Sequence, residues 1–135
     1  RSVIIVDSSV WIGYFNGKHS WQTDSLNNLL SKGPVIMGDL ILTEVLQGFR
    51  ADRDFNAAKS HLDALPFRSM GGYEVALKSA RNYRLLRKKG VTVRKTIDVI
   101  IATFCIIDRL TLLHEDRDFD PMVVQLSLQV LRPSE

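Results

Sequence analysis

The sequence predicts an α/β fold, a central mostly parallel sheet flanked by helices on both faces, and three observations carry that prediction. Val3-Ile4-Ile5-Val6 is a run of four β-branched apolar residues. Such a run cannot turn alternate side chains to water, so it reads as a strand covered on both faces. Short apolar runs recur at Val35-Ile36-Met37 and Leu110-Thr111-Leu112-Leu113, and segments of helical periodicity fill the intervals. Strands alternating with helices over short loops define a wound parallel sheet. The 135 residues suit a single domain over 1–135 with one substantial core.

Taken in order, the first strand stops at Asp7, at the carboxyl edge where open α/β sheets bind ligands. Ser8 or Ser9 is expected to cap a short helix through Phe15, buried along Trp11, Ile12 and Phe15 and ended by Asn16-Gly17. A second helix is expected from Thr23 to Leu30, and Gly33-Pro34 breaks it before the second strand. Asp39 reads as the N-cap of a helix over 40–50. In it Ile41, Leu42, Val45, Leu46 and Phe49 share an arc of about 140° at helical spacing. Glu44 lies just outside that arc, and Gly48 leaves room beside it.

Ala51 to Leu65 reads as a further helix that turns into a short strand at Leu65-Pro66-Phe67. Gly71-Gly72 opens a long helix from Tyr73 to Lys89, with Val75, Ala76, Ala80, Tyr83 and Leu86 as its apolar arc and Gly90 as its stop. Thr96 reads as the cap of a helix over 97–107 that is apolar almost all round and therefore buried on most sides. Asp98, in its first turn, is the exception, and the small residues Ala102 and Cys105 leave space in front of it. The strand at Leu110–Leu113 exits into His114-Glu115-Asp116-Arg117-Asp118-Phe119-Asp120. Asp120 before Pro121 has the form of a helix cap, and Leu126 to Leu131 that of a last strand.

Hydrophobic content of 45% and charged content of 24% are ordinary for a globular protein. No apolar run approaches the roughly 18 residues of a membrane span, and no secretory leader is apparent. The single cysteine, Cys105, lies in an apolar run and points to a reducing compartment, the cytoplasm. The net charge is +3, but eight of the chain's 18 Lys and Arg fall between Lys78 and Lys95 with no acid among them. They are Lys78, Arg81, Arg84, Arg87, Lys88, Lys89, Arg94 and Lys95. A patch of one sign at this density attracts polyanions such as nucleic acid; a solvating face is the plainer alternative.

Asp7, Glu44, Asp98 and either Asp116 or Asp118 are acids with no salt partner evident nearby in sequence. In a parallel sheet the strand exits and the following helix starts share one edge, so residues far apart in sequence can meet there. Four carboxylates in one pocket repel strongly unless a cation neutralises them or some protonate. Hard oxygen ligands without a Cys or His pair suit Mg²⁺ or Mn²⁺.

Four pieces carry a family resemblance: Ile-Val-Asp-Ser-Ser-Val-Trp-Ile at 5–12, Thr-Glu-Val-Leu-Gln-Gly at 43–48, Arg-Lys-Thr-Ile-Asp-Val-Ile-Ile-Ala at 94–102 and Leu-Leu-His-Glu-Asp-Arg-Asp-Phe at 112–119. In this order they resemble the PIN-domain ribonucleases, in particular the VapC-type toxins of VapBC toxin–antitoxin pairs. The resemblance implies that Asp7, Glu44, Asp98 and Asp116 form the acidic quartet, with Asp118 a further metal contact and Ser8 or Ser9 orienting the first acid or a bound water. It implies Mg²⁺-assisted hydrolysis of an RNA phosphodiester, with Glu44 orienting the attacking water or taking its proton. It further implies a cognate VapB-type antitoxin, a homodimer, and a structured RNA substrate, tRNA ahead of ribosomal RNA. Arg87, Lys88, Lys89, Arg94 and Lys95 are the expected RNA-backbone contacts.

Other functional classes fit less well. A histidine-based ribonuclease needs a poised pair, yet His19, His61 and His114 are scattered. Dinucleotide binding lacks a Gly-rich turn after the first strand, and a D-x-D phosphatase nucleophile fails at Ser9. The serious rival is a non-catalytic, metal-binding regulatory module that acts through protein contacts at its acidic pocket.

Overall fold

The computed structural model describes residues 3–33 and 35–133; Pro34, half of the expected break before the second strand, lies outside them. The chain forms β1 (Val3–Val6), α1 (Ser8–Phe15), α2 (Trp21–Lys32), β2 (Val35–Gly38), α3 (Asp39–Leu46), α4 (Asp52–Leu62) and β3 (Phe67–Arg68). It continues through α5 (Tyr73–Lys88), α6 (Thr96–Asp108), β4 (Leu110–Leu113), a 3₁₀ turn (Arg117–Phe119) and α7 (Asp120–Leu126). The four strands form one sheet in the order β3-β2-β1-β4, and every pairing is parallel. This is the α/β architecture the sequence predicts, and none of the described helices is long and apolar enough to cross a membrane.

The registers explain how distant segments meet. Val6 of β1 pairs with Leu113 of β4, and the amide of Asp7 donates to the Leu113 carbonyl at 2.9 Å. The chain exits β1 and β4 side by side, so Asp7 emerges next to the 114–118 loop. Ile5, Val6, Leu112 and Leu113 are fully buried, and β2 is buried along its whole length. Burying each such side chain contributes about 1.5–3 kcal/mol, enough to fix the two central strands firmly under the site. α6 packs on β4 and on α5, and α1 packs on α2 and α3.

Gly38 marks a close approach at the end of β2. A Cβ there would collide with Met70 Sδ, and Met70 is itself fully buried. The adjacent Asp39 fastens the same junction, its Oδ1 accepting from the amides of Leu40 and Met70 at 2.9 Å each.

Several expected boundaries are corrected. Asp7, rather than Ser8 or Ser9, caps α1, its carboxylate accepting from the Ser9 amide. α2 begins earlier than Thr23, at Trp21, because Ser20 and Thr23 form a reciprocal capping box. Asp39 is the first residue of α3 rather than its cap, and that helix stops at Leu46 rather than running to Arg50. Lys95, not Thr96, holds the cap position of α6. Asp120 is likewise the first residue of α7, which starts from Phe119. The expected last strand over 126–131 is not formed: α7 runs to Leu126, Ser127 closes it at φ 62°, and only Val130 makes a parallel bridge, to Leu112.

Candidate active site

The acids singled out in the sequence converge at the carboxyl edge of the sheet. One carboxylate oxygen from each of Asp98, Asp116 and Asp118 lies within 4.8 Å of the others. Asp7 stands outside that triangle but close enough for its charge to act on Asp98 and Glu44, and Asp116 acts on Asp7 in return. Asp7 and Asp98 are 3% and 2% exposed, which takes both carboxylates out of bulk water. Glu44, on α3, is half-buried.

Hydroxyls set the orientation of two acids. Ser9 Oγ donates to Asp7 Oδ2 at 2.6 Å, the Ser9 amide donates to the same oxygen at 3.0 Å, and Ser9 Oγ accepts from the Glu115 amide at 3.0 Å. One hydroxyl therefore ties the β1 exit to the β4 exit. Ser8 Oγ donates to Glu44 Oε1 at 3.0 Å and brings α3 to the same edge. Each serine thus hydrogen-bonds one acid, Ser9 to Asp7 and Ser8 to Glu44.

The doublet Asp116 and Asp118 divides into an inner and an outer acid. Asp116 Oδ1 accepts from the Asp118 amide at 2.9 Å, and its charge reaches Asp7, Glu44 and Asp98. Asp118 instead accepts from Arg94 Nε at 3.2 Å. Lys95 Nζ stands between two acids, 3.5 Å from Asp98 Oδ2 and 3.6 Å from Asp116 Oδ2. Arg94 and Lys95, expected at the RNA backbone, are thus engaged by the acids. Arg87, Lys88 and Lys89 are exposed, and Arg87 lies over the Tyr83 ring at 5.5 Å.

The electrostatics follow from burial. Burial pushes the Asp98 carboxyl up to about 7; Lys95 opposes the rise, and Asp7, Asp116 and Glu44 add to it. Burial raises Asp7 as well, against the two hydrogen bonds from Ser9. It raises Glu44 against the Ser8 hydroxyl. Burial alone would lower Lys95, but Asp98, Asp116, Glu44 and Asp7 together hold it above its ordinary value. These carboxylates are crowded beyond what one ammonium neutralises.

The donor set fits a divalent cation. Asp7 Oδ1 and Asp98 Oδ2 are buried oxygens that accept no hydrogen bond among the described residues, and a buried carboxylate oxygen left so is costly. Hard carboxylate oxygens with no Cys or His ligand among them are the chemistry of Mg²⁺ or Mn²⁺. His114 is no counter-example, because its Nδ1 accepts from the Asp116 amide at 3.1 Å and acts as a brace of the loop.

Sequence reasoning missed the outer brace of the site. Glu115 pairs with Lys18 and accepts from Ser20 Oγ at 3.3 Å, which locks the acid loop to α2. Nothing local could reveal a pairing across 97 residues, although the Ser20/Thr23 spacing was a readable cap signal. A cavity of about 800 Å³ lined by Trp11, Tyr14, Phe15, Phe49 and His61 includes none of the four candidate acids.

A parallel sheet that gathers acids at its carboxyl edge defines an α/β domain with a candidate cation site. The chain belongs to the PIN domain family, whose sequence model matches residues 4–123. It is 29% identical over 129 residues to the VapC ribonuclease Mb1587 of Mycobacterium bovis, and equally to ribonuclease VapC11 of Mycobacterium tuberculosis; each match covers 94% of this chain and 96% of the relative. In fold it is similar to VapBC2 of Rickettsia felis, solved bound to a promoter DNA fragment (TM-score 0.78, 14% identity, 98% of this chain and 99% of that one). It is also similar to VapC20 of Mycobacterium tuberculosis, described as a sarcin-ricin loop cleaving toxin (TM-score 0.66, 15% identity, 87% and 93%).

Proposed function

We propose that this chain is a VapC-type toxin, a divalent-metal-dependent endoribonuclease that cuts structured RNA in the cytoplasm, inhibits translation and is silenced by a cognate VapB-type antitoxin. The observation that carries the reading is the convergence of Asp98, Asp116 and Asp118 within 4.8 Å, beside buried oxygens of Asp7 and Asp98 that accept no hydrogen bond among the described residues. The whole-length likeness to curated VapC ribonucleases supports it. The antitoxin is supported by neighbours solved as VapBC complexes. The groove lined by Tyr14, Phe15 and Phe49 offers such a partner apolar area.

Asp7, Asp98 and Asp116 are the residues that would hold the cation, with Asp118 at its outer side. A bound Mg²⁺ or Mn²⁺ supplies Lewis-acid stabilisation of phosphate charge and makes water acidic enough to attack at neutral pH. Ser9 keeps Asp7 aimed at the site, and Ser8 keeps Glu44 there. Glu44, whose carboxyl burial has raised, is placed to take the proton of the attacking water, since a base works best with a pKa nearer the working pH. Lys95 offsets the repulsion between Asp98 and Asp116 and adds positive charge beside the scissile phosphate. Arg87, Lys88 and Lys89, exposed at the end of α5, contact the RNA backbone at a distance, and a homodimer would double that surface.

Incubation of the purified protein with total RNA, in Mg²⁺ and in chelator, followed by mapping of new ends, tests the reading. Discrete cuts in tRNA or ribosomal RNA that vanish in chelator support it. Intact RNA in Mg²⁺ would instead favour the non-catalytic acidic-pocket module.

A further inference from the structure

A second cleft, of about 330 Å³, has Asp116, a corner of the acid triangle, in its lining. Trp21 and Gln22, at the start of α2, form part of its wall, with His114, the acids Glu115 and Asp120, and the cations Arg117 and Arg132. The cleft shares Asp116 with the acidic site, so a ligand filling it lies next to whatever the acids hold. We propose that this cleft is a nucleobase subsite, taking an unpaired base of the nucleotide adjacent to the cleaved phosphodiester. The inference rests on the ribonuclease reading for the identity of the ligand, and on the cleft itself for the mode of binding.

Three features select a base. Trp21 is half-buried and lines the cleft, whereas Trp11 is 2% exposed, so of the chain's two tryptophans Trp21 is the one with surface to offer a base. Splayed-out bases of single-stranded RNA stack on such faces. The His114 side chain is braced: its ring packs on Phe119 with centroids 5.1 Å apart, and its Nδ1 accepts from the Asp116 amide. In the neutral ring that bond leaves the proton on Nε2, a donor of fixed position. Gln22 adds an amide able both to donate to and to accept from a base edge. Arg117 and Arg132 are exposed and pair with no acid among the described residues, which leaves two cations for the flanking phosphates.

The wall and the acids hold a fixed spacing. Ser20, which caps α2 just before Trp21, donates to Glu115, and the Glu115 amide donates to the Ser9 hydroxyl that orients Asp7. A base seated on Trp21 is thereby registered against the reacting phosphate, which makes the cleft a determinant of which bond is cut.

The test titrates the intact protein, in chelator, with a single-stranded RNA hexamer while following tryptophan fluorescence. We expect saturable quenching that is lost in Trp21→Phe, where only buried Trp11 emits. Anisotropy with a labelled hexamer should show Trp21→Ala binding about ten-fold more weakly and Trp21→Phe within about three-fold of wild type, as loss and retention of one stacking face predict. An abasic hexamer should bind wild type as weakly as the intact hexamer binds Trp21→Ala. In Mg²⁺, Trp21→Ala should lose base preference on one side of the cut. Absence of quenching, equal affinity for the abasic hexamer, or unchanged affinity and base preference in Trp21→Ala would each overturn the subsite, the last while RNA cleavage itself stands. Quenching by an RNA that is bound but never cut in Mg²⁺ would retire the hydrolytic reading and leave the base-binding cleft in place.

Discussion

Replacing Asp98 with Asn is expected to make the metal-free protein more stable at pH 8 and to remove its stabilisation by Mg²⁺. Asp98 is 2% exposed, and its carboxyl is pushed from 3.8 to about 7. A folded-state value above the unfolded one means that protonation favours the folded chain. That stability is fully present below about pH 4 and is lost as pH rises to about 7. A shift of roughly three units corresponds to an upper bound of about 4 kcal/mol at 1.36 kcal/mol per unit. Solvent screening and the opposing charge of Lys95 reduce it, and we expect about 1–3 kcal/mol. Asn has nearly the same shape and carries no charge, so it escapes the penalty. Urea unfolding in chelator at pH 5 and pH 8 measures both proteins. Wild type should lose stability between the two pH values, the variant should lose less, and the variant should be the more stable at pH 8. Added Mg²⁺ should raise wild type at pH 8 and leave the variant unchanged. A variant less stable than wild type at pH 8 in chelator, or a wild-type profile flat across this window, would refute the claim that Asp98 is a buried carboxylate awaiting a cation.

Other perturbations separate architecture from chemistry. Gly38→Ala places a Cβ against buried Met70 and should cost about 1–3 kcal/mol in urea unfolding, with no change in its pH dependence. Ser9→Ala removes the hydroxyl shared by Asp7 and the Glu115 amide. It should cost about 1–3 kcal/mol of stability and lower RNA cleavage at least ten-fold, because the β1 and β4 exits lose their tie. Lys95→Met removes the ammonium between Asp98 and Asp116; thermal unfolding in chelator should show a lower midpoint at pH 8 and a smaller difference at pH 4, where Asp98 is protonated.

The parts of the fold legible in the sequence are those where composition has a single physical reading. Val3 to Val6 had to be a covered strand because four β-branched residues have no other comfortable setting, and the near-continuous apolar helix around Ile101 had to be buried. Caps were less legible, because a cap is decided by backbone angles and not by residue type alone. Asp7, Ser8 and Ser9 are all good cap residues, and only the extended conformation of Asp7 (φ −68°, ψ 156°) selects it. The alternation from Leu126 to Leu131 looks like a strand, yet Pro121 starts a helix that Ser127 closes, and the chain meets β4 only at Val130. In the site, the acids stood out because they fall at strand exits and helix starts. Lys95 lies one helical turn before Asp98 and pairs with it, whereas its approach to Asp116 and the pairing of Arg94 with Asp118 are set by the fold. Glu115 passed unnoticed as one acid in a run of several, because its partners, Lys18 and Ser20, lie far away in sequence, in the segment before α2.

The most direct test of the central claim is single-turnover cleavage of an end-labelled RNA substrate, identified by mapping, across a Mg²⁺ titration with wild type and Asp98→Asn side by side. The account predicts saturable Mg²⁺ dependence for wild type, no cleavage in chelator, and a loss of at least a hundred-fold for Asp98→Asn at every Mg²⁺ concentration. Cleavage by Asp98→Asn at the wild-type rate, or undiminished wild-type cleavage in chelator, would contradict it.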